Sequence, residues 1–310
     1  MHQTKLIITF WALVFILQSC IIPFTPQIDP GDINKYVVSG QVTDFDKYQT
    51  VRISMASPVG NPEYVPVSGC AVRIFDDKGH EFAMNETEAG VYKGEIDSDY
   101  LLPGISFRLE IVASDGTVIE SDYEQMNECP EVDKVYFLRK DIYSDKPYQG
   151  TKGIQFYLDL DGSDSKTRNF RWEAIETWEY HVEYPREWYY DGSVHHIDPP
   201  DYSRMVCWST VLVKDIFTLS TANLTENKFE QLPLNYVDNH SDKLIYGYSL
   251  LVKQYALSEA AYYYWDQMKT NGFEQGGLYE RQPLSITGNL YNKTDPSQKV
   301  LGYFSASCVK

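Results

Sequence analysis

The sequence predicts a mainly β protein, with an amino-terminal β-sandwich of immunoglobulin or prealbumin type followed by a second β-rich domain that carries one amphipathic helix. Between residues 36 and 125, short runs of alternating apolar and polar residues are separated by turns, and no helical period occurs there. Similar runs follow after residue 152, and one helical pattern interrupts them. Aromatic residues make up 15% of the chain, a supply that suits pleated sheet faces.

The chain begins with an apolar run that is too short to span a bilayer. Residues 6–17 are almost wholly apolar, whereas a spanning helix needs about 20 residues. This pattern is typical of a cleaved secretory signal over residues 1–19. The letters LQSC, ending at Cys20, are similar to a lipobox, in which the cysteine carries the lipid. We therefore predict lipidation of Cys20 and a tether over residues 20–35; the alternative is an ordinary signal peptide with an unmodified cysteine.

Five or more short strands are predicted in the first domain, which we place at residues 36–140. In each strand, alternate side chains share one face. The strands are predicted in VVSGQV, VRISM, CAVRIF, GVYKGEI and FRLEIVA. A polar segment at residues 141–152 is predicted to link this domain to the next.

The second domain is placed at residues 153–310. It begins with GIQFYLDLD and TRNFRWEAIETWEYHV, which we interpret as a hairpin around the turn GSDSK. Further strands are predicted in VLVKDIFTLST, IYGYSLLVKQYAL, QPLSITGNLYN and KVLGYFSAS. A helix is predicted over residues 258–271, with Ser258 as its N-cap and Trp265 in its apolar stripe.

Four cysteines remain after Cys20, and an exported chain meets an oxidising compartment. Four cysteines allow three pairings. Because the two-domain interpretation places one pair in each domain, we predict the disulfides Cys70–Cys129 and Cys207–Cys308. The alternative is buried free thiols. The cysteine spacings do not match a zinc site, so no metal is predicted.

Charge and motifs exclude several functions. The formal net charge of −17 repels phosphate backbones, so nucleic-acid binding is not expected. The sequence contains no G-x-S-x-G, P-loop or dinucleotide fingerprint. We therefore predict a non-enzymatic protein without a cofactor.

The strand RWEAIETWEY places a carboxylate among large rings. Its two-residue period predicts that Trp172, Glu176 and Trp178 share one face. If that face is core, Glu176 needs a partner such as an arginine or a tyrosine hydroxyl, because a lone buried carboxylate is costly. The other interpretation is a ligand platform, and a glycan-active enzyme would use Glu176 as its best single carboxylate.

Residues 183–202 form a second candidate site, predicted as a long irregular loop. This stretch contains Trp188, Tyr189 and Tyr190, which makes it too aromatic for disorder. We predict that these rings bind a partner or a ligand, with simple packing as the alternative.

Several segments together resemble a known family. They are RWEAIETWEY, CW at residues 207–208, YSLLVKQYALSEAAYYYW, QPLSITGN and LGYF, along with the lipobox and VVSGQVTD. This set resembles the outer-membrane lipoprotein family catalogued as domain of unknown function 4249. The resemblance implies a Gram-negative outer-membrane lipoprotein, often encoded beside a TonB-dependent receptor, and it implies no catalytic residues.

From the resemblance we expect an accessory to a TonB-dependent outer-membrane receptor, held at the membrane through the Cys20 lipid. It would help to capture or pass on a glycan, peptide or other nutrient. Whether it faces the periplasm or the cell surface is left undecided, because no acidic run follows Cys20. The alternatives are a lipid-anchored glycan-active enzyme and an adhesin or structural scaffold.

Overall fold

The computed structural model describes residues 35–57, 63–142, 151–273 and 286–310, and Lys35–Lys310 form one compact unit. These described residues form twenty β-strands and one α-helix. The predicted mainly β class is therefore confirmed. The predicted signal peptide at residues 1–19 and the lipidated Cys20 lie outside the described residues.

The strands are numbered in chain order. Those of the first half are β1 (Tyr36–Thr43), β2 (Tyr48–Met55), β3 (Val65–Pro66), β4 (Ala71–Asp76), β5 (Glu81–Glu88), β6 (Val91–Glu95), β7 (Ser106–Val112), β8 (Val118–Ser121), β9 (Glu124–Gln125) and β10 (Lys134–Ile142). Those of the second half are β11 (Thr151–Asp161), β12 (Asn169–His181), β13 (Arg186–Tyr190), β14 (Val194–Asp201), β15 (Val206–Leu212), β16 (Phe217–Ser220), β17 (Lys228–Asp238), β18 (Tyr248–Ala256), β19 (Leu290–Asn292) and β20 (Leu301–Ser307). The helix α1 (Glu259–Phe273) lies between β18 and β19.

Eleven strands form the first sheet, in the order β19-β8-β7-β4-β5-β6-β2-β1-β20, with β3 beside β2 and β9 beside β7. Strands from both halves of this sheet contribute to one hydrophobic core. Val38, Ile53, Ile74 and Leu109 in this core are fully buried, and in the strands of the last three, buried residues alternate with half-buried or exposed ones. The first sheet therefore folds back on itself around a sandwich-like core, because one side of each strand is apolar.

The structure places β19 and β20 in the first sheet, although the sequence pattern groups them with the second domain. β20 pairs with β1 in parallel, from Leu301 opposite Val37 to Ser307 opposite Thr43. This pairing joins the two ends of the described chain. A local sequence pattern cannot predict which distant strand a strand pairs with. The domain boundary at residues 141–152 stays a prediction, and part of that segment lies outside the described residues.

Two smaller sheets enclose a second core. One has the order β10-β11-β17, and the other has β15 and β16 on one edge of β12 and β18 on the other. Leu158 and Leu160 of β11 belong to the same buried cluster as Phe170, Trp172 and Ala174 of β12. The predicted hairpin of β11 with β12 is therefore wrong, because the two strands lie in different sheets and share a core instead of an edge.

The helix α1 agrees closely with the predicted span of residues 258–271. The Ser258 hydroxyl accepts a hydrogen bond from the Ala261 N–H at 3.0 Å, which confirms Ser258 as the N-cap. Ala261 and Trp265 pack in a small core with Tyr303 of β20, so the helix connects the first sheet to the sheet of β12. In the described part of the chain, no helix is both long and apolar enough to cross a membrane.

The predicted disulfides are not formed, because the four cysteines among the described residues are free thiols. Cys308 lies in the first core together with Cys129, while Cys207 lies on β15 in a different sheet. The return of the carboxyl-terminal strand to the first sheet thus separates Cys207 from Cys308. Cys70 packs only partly against the first core.

Candidate functional site

One face of β12 changes from core to open surface along its length. Trp172 is only 1% exposed, and its indole N–H donates a hydrogen bond to the Gln254 side-chain oxygen at 2.9 Å. Glu176 is 6% exposed, Trp178 is partly exposed, and Tyr180 is exposed. Trp172 therefore belongs to the core and has no surface to offer a ligand, whereas the far end of the same face reaches solvent.

Glu176 is held by three donors from other parts of the chain. The Lys243 ammonium donates to Oε1 at 2.5 Å, and the Tyr248 hydroxyl donates to Oε2 at 3.0 Å. The Asn235 amide also donates to Oε2, at 3.3 Å. A buried Glu176 is expected to need a partner such as an arginine or a tyrosine hydroxyl; the tyrosine hydroxyl is present, and the cation is a lysine instead of an arginine.

The surroundings of Glu176 suit a structural charge. Lys243 lies 4.7 Å above the Trp178 ring, so its ammonium has both a carboxylate and an aromatic face as neighbours. Burial and the charge of Glu176 raise the pKa of Tyr248 well above its ordinary value, so its hydroxyl stays protonated and able to donate even in alkaline solution. The arrangement fixes the carboxylate in one geometry and occupies both of its oxygens.

The aromatic stretch at residues 183–202 is a β-hairpin, so its prediction as an irregular loop is wrong. β13 and β14 pair antiparallel around the turn Asp191-Gly192-Ser193, in which Gly192 has φ +117°. A positive φ is easy only for glycine, and Asp-Gly between strands is a strong hairpin signal. We call residues 186–201 the aromatic hairpin; it extends from the connection between β12 and β15.

The aromatic hairpin exposes large rings on a rigid support. Trp188 is 57% exposed and lies 4.6 Å from the His196 ring, while Tyr189 stacks on His195 at 4.8 Å. Tyr190 is 75% exposed. Cross-strand ring pairs stabilise a hairpin, so these rings are held in place while much of their surface faces solvent.

Two further exposed rings lie near the base of the hairpin, and sequence reasoning did not select them. Trp208 on β15 is exposed and lies in the cross-strand position opposite Glu179. Tyr246 is also exposed and stacks on His181 with ring centroids 3.7 Å apart. The alternating sequence of β15 indicates which side chains share a face with Trp208. It does not indicate whether another sheet covers that face, so the exposure of Trp208 could not be predicted.

The ionisable groups of this region do not assemble into a metal centre. Among the described residues, no group of three or more histidine, cysteine, aspartate and glutamate side chains could hold a metal ion. His195 pairs instead with Asp191 at 2.9 Å.

Over residues 35–310, the described segments define a mainly β protein with three sheets and a projecting aromatic hairpin. The family model described as domain of unknown function (DUF4249) matches residues 21–310. The chain therefore belongs to this family, which confirms that part of the resemblance seen in the sequence.

Individual proteins of known structure or function show only weak similarity to the chain. No curated protein matches the chain. The crystal structure of trypsin activated alpha-2-macroglobulin from Escherichia coli is similar with a TM-score of 0.24 and 12% identity, covering 76% of this chain. The similar region spans 15% of the length of that protein, and a TM-score of this size establishes no shared fold.

Proposed function

We propose that the protein is a lipid-anchored accessory of a TonB-dependent outer-membrane receptor and acts by binding, not by catalysis. The lipobox-like sequence ending at Cys20 supports the anchor. The resemblance to lipoproteins encoded beside TonB-dependent receptors supports the partner. In this role, the protein assists the receptor in capturing or passing on a nutrient.

The observation that carries the proposal is the aromatic hairpin. Tryptophan and tyrosine are enriched at protein interfaces and dominate their binding energy. Trp188 and Tyr190 are exposed on a projecting two-stranded element, in contrast to the buried Trp172. We therefore place the receptor contact at the aromatic hairpin.

The environment of Glu176 favours binding over hydrolysis as the activity. Both of its oxygens already accept hydrogen bonds, one of them from the Lys243 ammonium. The side chain is also only 6% exposed, so a substrate would have to displace these partners to reach the carboxylate.

The proposal is tested by isolating the full chain from gently solubilised outer membranes through a tag after Lys310. Mass spectrometry then identifies what remains bound. The account predicts a TonB-dependent barrel in stoichiometric amount with the unchanged protein. In the double variant Trp188→Ala/Tyr190→Ala, the barrel signal should fall at least about tenfold, since each lost anchor costs about 2 kcal/mol.

The matched control replaces two exposed tyrosines that directly precede β3 and β9 of the first sheet, in the variant Tyr64→Ala/Tyr123→Ala. This variant removes a similar exposed aromatic area from a different surface and should retain the barrel. Isolation of the unchanged protein without a barrel would contradict the proposed partner. An equal loss in both double variants would contradict the proposed contact surface.

A further inference from the structure

A polar cleft lies between the first sheet and the sheet of β12, away from the aromatic hairpin. Its volume is about 260 Å³. Ligand pockets often lie where parts of a protein meet, and pockets for drug-sized ligands have volumes of roughly 300–1,000 Å³. The cleft therefore suits a smaller ligand. Each neighbouring element contributes to its wall: Ser39 of β1, Thr50 of β2, Arg171 of β12, Lys253 of β18, Trp265 of α1 and Ser305 of β20.

Arg171 in this cleft is held rigidly and has an unused donor. The residue is 6% exposed, and its guanidinium lies between the rings of Tyr255 at 4.5 Å and Trp265 at 4.3 Å. Its Nη2 donates to the Glu173 carboxylate at 2.7 Å. Its Nε is buried and has no hydrogen-bond partner within the described part of the chain. A buried donor without an acceptor is costly, so this atom indicates a missing acceptor.

The charges around the cleft favour an anion. Its wall contains three cations, Arg52, Arg171 and Lys253, and two anions, Asp46 and Glu173. The local balance is therefore 3 − 2 = +1, in a chain whose formal net charge is −17. A positive site on an acidic protein concentrates small anions at that place.

The Lys253 ammonium has no close ion-pair partner among the described residues and is available to such an anion. Its ammonium lies over the Phe45 ring at 4.2 Å, and its distance to the Asp46 carboxylate is 4.0 Å, at the outer limit of an ion pair. Glu173, in contrast, accepts from both Arg171 and the Tyr255 hydroxyl, the latter at 2.7 Å. Glu173 is thus occupied by protein donors, while Lys253 has only the distant and mostly exposed Asp46 as a counter-charge and keeps binding capacity.

The remaining wall fits a ligand with hydroxyl groups and one flat face. Ser39, Thr50 and Ser305 contribute hydroxyls, and the exposed rings of Phe45 and Tyr48 border the cleft. Hydroxyls beside aromatic rings are suited to sugar hydroxyls and to the apolar face of a sugar ring.

We propose that this cleft binds a small organic carboxylate of the size of an acidic monosaccharide. The carboxylate accepts from Arg171 Nε and is attracted by Lys253. A peptide carboxyl terminus presents the same group and is the other source of this chemistry. Only the identification of this ligand with the captured nutrient rests on the proposed function; the binding itself does not.

Isothermal titration calorimetry on the purified full chain in mild detergent tests this inference without any receptor. The probes form two matched pairs, D-galacturonate with D-galactose, and N-acetyl-dialanine with its carboxamide. We expect one carboxylate to bind at least about tenfold more tightly than its uncharged analogue, a 1.4 kcal/mol difference. The pair that shows the difference identifies the source. Equal binding within both pairs, or no binding up to about 10 mM, would overturn the inference.

Two lysine variants then locate the binding. Arg171 packs between two rings, and its replacement disturbs that packing, so Lys253→Gln is the informative change. It should weaken binding of the carboxylate at least about fivefold and leave binding of its uncharged analogue unchanged. Lys214→Gln makes the same charge change at an exposed residue outside the cleft and should have no effect. Equal affinities of the two variants would place the ligand elsewhere. Because no receptor is present, failure here is distinct from failure to isolate a barrel.

Discussion

Replacement of Gly302 by alanine tests the pairing of the carboxyl-terminal strand with the first sheet. Gly302 lies in β20 with φ +105°, and a Cβ added there would lie 1.8 Å from the Val38 carbonyl oxygen of β1. The backbone strain costs about 1–3 kcal/mol for a residue other than glycine. Separating the two strands to relieve the overlap costs about 1–3 kcal/mol more, as for overpacking in a core. We therefore expect Gly302→Ala to lower the free energy of unfolding by about 2–6 kcal/mol.

The matched control is Gly104→Ala. Gly104 has a similar φ of +92°, but an added Cβ would have no neighbouring atom within 4 Å. Its loss should be limited to the backbone strain of about 1–3 kcal/mol, without the added cost of separating two strands. Denaturant unfolding of both variants, followed by tryptophan fluorescence and circular dichroism, measures the difference. Equal losses for the two variants would refute the close approach of β20 to β1.

Three further predictions concern buried charges and thiols. Lys243→Met should lower the free energy of unfolding by about 2 kcal/mol because it leaves Glu176 buried without its cation. Glu176→Gln removes the buried charge itself and should lower the free energy of unfolding by only about 1 kcal/mol. Equal losses for the two variants in denaturant unfolding would contradict this prediction. Burial raises the pKa of Glu124, so its ionisation opposes folding and stability falls as pH rises through that raised value. Glu124→Gln should therefore gain stability relative to the unchanged protein between about pH 4 and 7, and a constant difference across that range would count against it. Burial raises the pKa of Cys129 to about 11, so alkylation near pH 8 should modify the partly exposed Cys207 before Cys129. Intact mass measurement and peptide mapping identify the order of labelling. Early labelling of Cys129 would contradict its burial.

Local patterns predicted strands better than they predicted neighbours. The alternation in VRISM and FRLEIVA identifies one buried face, and Ile53 and Leu109 are indeed fully buried. Alternation does not report which strand lies beside which, since pairing depends on segments far apart in the chain. For that reason β11 and β12 were predicted as a hairpin, and the contact of β20 with β1 was not foreseen.

The candidate site was predictable to a similar extent. The need of a buried Glu176 for partners follows from the cost of burying a charge. The identity of the partners does not, because Lys243 and Tyr248 are 67 and 72 residues away in the chain. The hairpin of residues 186–201 could have been predicted from Asp191-Gly192, but two prolines at its far end argue against a strand. They are accommodated because β14 pairs only with β13 in the described structure.

The central claim is that the aromatic hairpin contacts a TonB-dependent receptor. A photo-crosslinking amino acid placed at Tyr190 in living cells tests this contact directly, with the exposed Tyr123 beside β9 of the first sheet as the matched position. The account predicts a crosslink from position 190 to an outer-membrane barrel and none from position 123. Crosslinks to the barrel from position 123 alone, or no barrel crosslink from either position, would contradict the claim.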